Sequence, residues 1–225
     1  CTVYIKNTVP PGGSSTTGTA STSVSLTPTP PPDKILVHLK IRPQAVIKAK
    51  VLPYNRLKVA VALGGGSLKQ NTSYVENEFV AVGDGIFEGT VAFDATRVKP
   101  ATNYKILVKA GKHLAKRICE PTPNKDAKTP NALYVCPQEN AGTIELREGT
   151  NTFDFSKVFL PAGDLPVSDK QDGIADSTDY TFVRKNLGSE DPDLLRIGDI
   201  NMDGVIDTQD YIIIINNTFN NLDDE

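Results

Sequence analysis

The stretch Asp199-Ile200-Asn201-Met202-Asp203-Gly204-Val205-Ile206-Asp207-Thr208-Gln209-Asp210 decides how this chain is read. With Asp199 as position 1, oxygen-bearing side chains stand at positions 1, 3, 5, 9 and 12, and Gly204 at position 6 allows the sharp turn a loop needs to wrap an ion. Calcium takes six to eight hard oxygen ligands. This spacing lets Asp199, Asn201, Asp203, Asp207 and Asp210, together with the Val205 backbone carbonyl, close around one such cation. Zinc would call for His or Cys, and neither stands nearby. Asp, Asn and Gly also favour ion-free surface turns, but an ordinary turn does not require an oxygen at every ligand position. The spacing predicts a calcium loop of the EF-hand type.

A second copy lies upstream. Asp172-Gly173-Ile174-Ala175-Asp176-Ser177-Thr178-Asp179-Tyr180 aligns with Asp203 to Tyr211 at a constant offset of 31 over nine positions, which is a repeat and not a coincidence of composition. Further upstream the match slips, because Asp164 is nine residues before its glycine whereas Asp199 is five before its own. Four residues are inserted. Asp164 is the expected first ligand of this loop, followed by Asp172, the Ile174 carbonyl, Asp176 and Asp179, with position 3 left open between Asp169 and a water. Each loop leads into a short apolar segment. In the first, Tyr180, Val183 and Leu187 share a helical face and Gly188 is placed to stop it. In the second, Tyr211-Ile212-Ile213-Ile214-Ile215-Asn216-Asn217 reads alone as strand or helix, and the repeat argues for helix. A core of about sixty residues needs a staple, which two calcium ions would provide.

Duplicated loops of the form Asp-x-Asn-x-Asp-Gly-x-Ile-Asp-x-x-Asp, each followed by one helix, resemble the type I dockerin module over about residues 163 to 221. The second repeat matches completely, and the first departs by its insertion. The resemblance implies that calcium orders two loop-helix motifs and that the module docks onto a cohesin-like domain on a scaffold or cell surface, within a polysaccharide-degrading assembly. It also implies that positions 10 and 11 of each loop help choose the partner; here these are Ser177-Thr178 and Thr208-Gln209. The pairs differ, unlike the symmetric loops that support a dual binding mode in some of that family.

The charge is split along the chain. Residues 161 to 225 hold 15 acidic against 4 basic residues, whereas the whole chain has a net charge of only −3, so the first 160 residues are basic. Residues 1–32 read as a Ser/Thr/Pro/Gly-rich linker, too poor in apolar surface to fold and expected to be a disordered tether. Cys1 leaves two readings, a lipidated lipoprotein cysteine or the point where a longer chain was cut. Residues 33–160 alternate as strands: Lys34 to Ile41, Ala45 to Leu52, Arg56 to Leu63, Gly85 to Phe93, Asn103 to Ala110, Leu133 to Cys136, Thr143 to Arg147 and Asn151 to Leu160. The pattern predicts an antiparallel, immunoglobulin-like β-sandwich, followed over 161–225 by a small α-helical dockerin-like domain with two EF-hand-type calcium loops. Cys119 and Cys136 bracket a polar loop. In an exported protein a disulfide closing it adds about 3 kcal/mol in the chain-entropy model, against the alternative of two buried thiols.

Chemistry is harder to find. His38 and His113 have no Ser or Cys nucleophile marked nearby, no pair of carboxylates is set in a glycosidase motif, and Gly64-Gly65-Gly66 lacks the Lys-Ser/Thr start of a phosphate loop. No enzyme is expected here, and any catalysis belongs to another part of a longer protein. The basic stretch Lys109 to Arg117 suits an anionic glycan, a wall polymer, the acidic C-terminal third or simply solvent. It has no interleaved aromatics, and nucleic acid is not expected. No run of apolar residues is long enough to span a membrane. Two classes of function follow: an extracellular or bacterial cell-surface module that docks onto a cohesin-like partner, or a calcium-stabilised adhesin or carbohydrate-binding protein, touching wall or surface polysaccharide, with no cohesin partner. In the first class Ser177, Thr178, Thr208 and Gln209 must be open; in the second they are covered.

Overall fold

Strand β1 (Lys34–Pro43) alternates in burial without a break, Ile35, Val37, Leu39 and Ile41 buried on one face and Leu36 half-covered with the polar residues on the other. It pairs antiparallel with β4 (Ile86–Asp94) and in parallel with β8 (Gly149–Leu160). Strand β2 (Arg56–Gly65) lies between β3 (Val75–Gly83) and β5 (Ala101–Ala110), and β5 also carries the short strands β6 (Lys116–Ile118) and β7 (Ile144–Leu146). The structure, a computed structural model, describes residues 33–46, 55–123, 134–136, 142–218 and 222–224. The linker over 1–32, Cys1, and most of the strand expected from Ala45 to Leu52 lie outside these residues, and residues 134–136 are not in a strand.

The expected immunoglobulin-like β-sandwich followed by a separate dockerin-like helical domain is not what forms. All eight strands belong to one sheet, ordered β6-β5-β2-β3-β4-β1-β8 with β7 beside β5, and it rolls nearly into a barrel around a single core. Strand β3 makes the difference. Without it β5-β2 and β4-β1-β8 would be two separate groups of strands; by pairing Leu57 with Phe79 on one side and Ala81 with Phe87 on the other, β3 joins them. Its burial explains why the sequence hides it: of its nine residues only Phe79 is buried, so no alternating apolar signal is present. Phe79 packs over Gly89, where a Cβ would lie only 2.3 Å from the ring. The core gathers Ile35, Val37 and Leu39 of β1, Phe87 and Val91 of β4, Ile106 and Val108 of β5, and Phe155 of β8. Each such side chain, fully buried, contributes about 1.5–3 kcal/mol relative to exposure.

The turn expected at Gly64-Gly65-Gly66 begins only at its last residue, since Gly64 and Gly65 still pair with β5 at the end of β2; Gly66, at φ 57, lies under the Tyr104 ring, where a Cβ would clash at 2.5 Å. Tyr104 donates its hydroxyl hydrogen to the Lys99 carbonyl at 2.6 Å and lies 2.6 Å from Ser67 Oγ, which satisfies a phenol buried in the core. Cys119 and Cys136 form a disulfide with Cα atoms 5.5 Å apart.

Three short helices follow: α1 (Ser177–Lys185), α2 (Pro192–Gly198) and α3 (Thr208–Asn217). None is long and apolar enough to cross a membrane among the described residues. They share a small core of their own, with Leu165, Val183, Leu195, Ile200, Ile206 and Ile214 buried together, and Tyr180 meets Tyr211 edge-on with ring centres 6.1 Å apart. Helix α2 has no counterpart among the sequence expectations. Its start is nonetheless conventional: Asp191 accepts from the Asp193 and Leu194 N–H groups, and Pro192 occupies the first turn.

Candidate functional site

The two helices of the repeat begin in the same way. Asp207 accepts a hydrogen bond from the Gln209 N–H at 2.6 Å, and Asp210 reaches back to accept from the Asp207 N–H at 2.9 Å. In the first copy Asp176 accepts from Thr178 at 2.7 Å and Asp179 from Asp176 at 2.8 Å. Each pair is a reciprocal capping box, and the helix N-terminus behind it favours negative charge. Positions 9 and 12 of both loops are therefore placed by local backbone chemistry.

Position 1 is placed by the turn. Asp199 accepts through Oδ1 from the Asp203 N–H (3.2 Å) and through Oδ2 from the Gly204 N–H (3.0 Å). Asp164 does the same with Asp172 (3.1 Å) and Gly173 (3.2 Å), although four more residues intervene. Gly204 and Gly173 both have left-handed backbones, at φ 98 and 86. At position 5, Asp203 accepts from Val205 (3.2 Å) and Asp172 from Ile174 (3.0 Å). The far oxygen of the position 12 carboxylate closes each loop: Asp210 accepts from Ile200 (2.8 Å) and Asn201 (3.2 Å), and Asp179 from Leu165 (2.9 Å). The residue after Leu165 is Pro166, which has no N–H to offer.

The loops part at position 3. Asn201 accepts from the Asp203 N–H at 3.0 Å and its amide nitrogen donates to Asp203 Oδ2 at 3.0 Å. In the first loop Asp169 is exposed, with a left-handed backbone at φ 66. The space toward the sheet is taken by Gln171, whose amide nitrogen donates to the Asp164 carbonyl (2.9 Å) and to the His113 carbonyl (2.9 Å).

Asp164, Asp199 and Asp210 are wholly buried and Asp179 nearly so. Burial pushes the Asp164, Asp179 and Asp210 carboxyls up to about 6 and raises that of Asp199. Among the described residues no three acidic, His or Cys side chains form a ready-made ligand cluster, since the carboxylates turn to backbone N–H groups instead. The donor set nevertheless fits calcium. Only oxygens are on offer, they come from Asp199, Asn201, Asp203, Val205, Asp207 and Asp210 in one short loop, and their charge has no countercharge within it. When bound, the ion would supply that positive charge.

The sheet reaches into this region from outside. Lys109, on β5, donates to Asp164 Oδ2 at 2.8 Å and Asp223 Oδ2 at 2.6 Å; burial alone would lower its pKa, but these two carboxylates outweigh it and raise it. Lys112 donates to the backbone carbonyls of Leu195 (3.0 Å) and Asp199, and burial brings its ammonium down to about 8 against the pull of Asp199 and Asp210. Asp223 also accepts from the Ala115 N–H (2.6 Å), its own N–H donates to the Gly173 carbonyl (2.9 Å), and Asp224 pairs with Lys116 at 2.9 Å. Of the partners offered by the sequence for Lys109 to Arg117, the acidic C-terminal third is the one these lysines meet. Lys109, Lys112, Gln171 and Asp223 were not singled out as loop partners, and no local pattern could have done so, because every contact to the sheet spans more than fifty residues.

The remaining candidates have plain roles. His38 lies 2.8 Å from Thr90 Oγ1 and 2.6 Å from Glu88 across β1 and β4. His113 is buried between the Gly111 and Gln44 carbonyls, and burial lowers its pKa. Ser177, Thr178, Thr208 and Gln209 are all exposed.

No known protein family matches the chain, and no curated protein does. Among solved structures it is similar to a chain of an N-terminal interface mutant of a type II cohesin-X-dockerin complex from Acetivibrio cellulolyticus, at 19% identity and a TM-score of 0.47, with 81% of this chain and 94% of that chain covered. A likeness at that level carries no argument about function, which rests on the loops themselves.

Proposed function

We propose that the protein is a calcium-dependent, extracellular interaction module that docks onto a protein partner of the cohesin type at a scaffold or cell surface, without catalysis of its own. Two calcium ions would be held by the oxygens of the two loops, the second loop through Asp199, Asn201, Asp203, Val205, Asp207 and Asp210 and the first through Asp164, Asp172, Ile174, Asp176 and Asp179. The observation that carries the reading is the shared geometry of the loops: at equivalent positions both direct the same aspartates at the same backbone N–H groups, despite the insertion. Clustered, buried carboxylates are costly without an ion, so their repetition points to a bound cation at each. The second support is exposure. Ser177, Thr178, Thr208 and Gln209 stand open at the two helix starts, Ile212 and Ile215 leave apolar surface on α3, and Leu187 does so just past the end of α1. An adhesin whose loop-helix pair served only to brace the sheet would cover these residues.

The test is capture of purified cohesin domains on immobilised protein in calcium and in chelator. Calcium-dependent capture that is lost when Thr208 and Gln209 are replaced by Arg supports docking. If the folded, calcium-loaded protein captures no cohesin, or captures one equally in chelator, the docking reading falls.

A further inference from the structure

The residue just before the position 5 aspartate reaches the sheet in both loops. At the offset of 31 that relates the repeats, Gln171 corresponds to Met202. Gln171 reaches by hydrogen bonding, its amide nitrogen donating to the His113 carbonyl at 2.9 Å. Met202 reaches by packing. Its neighbours Ile200 and Ile206 are buried in the small core of the helices, but Met202 is buried with the side chains of the sheet, and among the described residues it is the one position beyond Leu160 that joins that core. With Leu57 and Val59 of β2 it lines the cleft between the sheet and the helices. Its backbone is unusual as well. A φ of 61 lies in the left-handed region, which disfavours a side chain such as Met and suits Gly or Asn. Local conformation therefore does not account for Met at this position, whereas its burial in the sheet does.

We propose that Met202 is a positioning residue of the second calcium site, a pin through which the sheet sets the shape of the loop before the ion arrives. The inference rests on the calcium reading above, and adds that the affinity of the second loop belongs to the sheet and the helices together. Met202 stands between Asn201 and Asp203, positions 3 and 5, so fixing its side chain fixes the backbone that carries both of these ligands. At position 1 the sheet holds the loop a second time, because Lys112 donates to the Asp199 backbone carbonyl. The thioether of Met202 is a soft donor and is not itself suited to calcium, so it acts through its neighbours. The affinity of a calcium loop depends on its rigidity as well as on its charges. A loop already held in shape loses less of the binding energy to ordering its chain and bringing its carboxylates together.

The experiment is calorimetric titration of calcium into the full chain, as the parent protein and as Met202→Leu and Met202→Asn. Leu keeps the apolar volume, whereas Asn tolerates the left-handed backbone and removes the pin. Met202→Asn is expected to weaken one calcium site at least about tenfold and to leave any other unchanged, the size of effect that supporting residues around a metal commonly have. Met202→Leu is expected to restore that site to within about threefold of the parent. A cooperative thermal melt at saturating calcium shows that each variant is folded; if Met202→Asn fails this, Met202→Ala, which places no polar group in the core, carries the same expectation. Calcium binding unchanged in the folded Asn or Ala variant overturns the proposal, by showing that the loop's shape is set locally. Weakening as large in Met202→Leu as in Met202→Asn, or weakening of every site alike, overturns it too, since neither follows from a pin of apolar volume in one loop. Absence of calcium binding by the parent protein overturns the calcium reading itself and this inference with it.

Discussion

The two loops share their internal hydrogen bonds and differ in what reaches them from outside. Around the first, the Lys109 ammonium sits against Asp164, Gln171 fills the space toward the sheet, and Asp223 ties Gly173 to the β5–β6 turn. Around the second, Lys112 donates to backbone carbonyls and acts on Asp199 and Asp210 only through its charge, while their hydrogen bonds come from backbone N–H groups. Part of the first loop's charge is therefore neutralised by a direct ion pair, while the second loop's is offset only by the Lys112 ammonium acting without one. The lesson is that a duplicated motif can keep its local geometry and still differ in its surroundings, one copy being ion-paired to the sheet and the other not.

The largest test of this difference is removal of calcium. Chelation is expected to abolish most of the helical far-UV signal from α1 and α3 while the sheet melts as before. At calcium a hundredfold above its Kd a single site contributes about 2.7 kcal/mol, enough to decide whether a core this small stays folded. Identical helical signal and melting in chelator and calcium would break the metal reading for both loops.

Next in size is the contrast between two lysines. Lys109→Met leaves Asp164 and Asp223 without their cation and is expected to cost about 3 kcal/mol in chelator, by chemical denaturation, and less in calcium, where the ion takes over part of the countercharge. Lys112→Met removes hydrogen bonds to two carbonyls and a charge that acts on Asp199 and Asp210 without a direct ion pair, and should cost about 1.5 kcal/mol with a smaller dependence on calcium. Equal costs, insensitive to calcium, would erase the distinction drawn between the loops.

Calorimetric titration with calcium measures the inequality directly. Two classes of site are expected, the tighter one removed by Asp207→Ala and the weaker one by Asp176→Ala. The first loop's insertion costs little by itself, well under about 1 kcal/mol; its missing position 3 ligand and the Lys109 charge beside Asp164 are the larger causes. Two identical sites would mean that Asp169 or a water serves as well as Asn201.

The smallest effect concerns the turn glycines. Gly204→Ala forces a side chain into a left-handed backbone and should cost about 1 kcal/mol. Gly173→Ala carries the same strain and also sets its Cβ 2.9 Å from the Asp223 carboxylate, so its cost should exceed that of Gly204→Ala and fall to the same value in an Asp223→Ala background. A cost for Gly173→Ala unchanged by that background would show that the C-terminal segment does not clasp the first loop.

What was legible in advance was local. The spacing of the loop aspartates, the equivalence of Asp164 with Asp199 and the end of α1 before Gly188 depend on groups within about a dozen residues of each other, and the hydrogen bonds of the loops span the same range; the alternation of β1, β2 and β5 is likewise local in sequence, and the repeat 31 residues upstream turned four isoleucines into helix α3. The Asp-x-x-Asp pairs cap their helices wherever those helices happen to pack.

Only the tertiary structure decided how the strands join and what the loops touch. Strand β3 carries one buried residue and no alternation, so nothing in its own sequence shows that it bridges the two groups of strands and makes one rolled sheet of an apparent sandwich. The parallel pairing of β1 with β8 joins residues more than a hundred positions apart. The same holds for Lys109 with Asp164 and Asp223, and for Lys112 with the second loop: a lysine in a basic run looks the same whether it faces water or a carboxylate fifty-five residues away. Hydrogen-bond chemistry of neighbouring residues is written in their order along the chain, whereas long-range partners are selected by shape and charge after the sheet has closed, and composition alone does not record that selection.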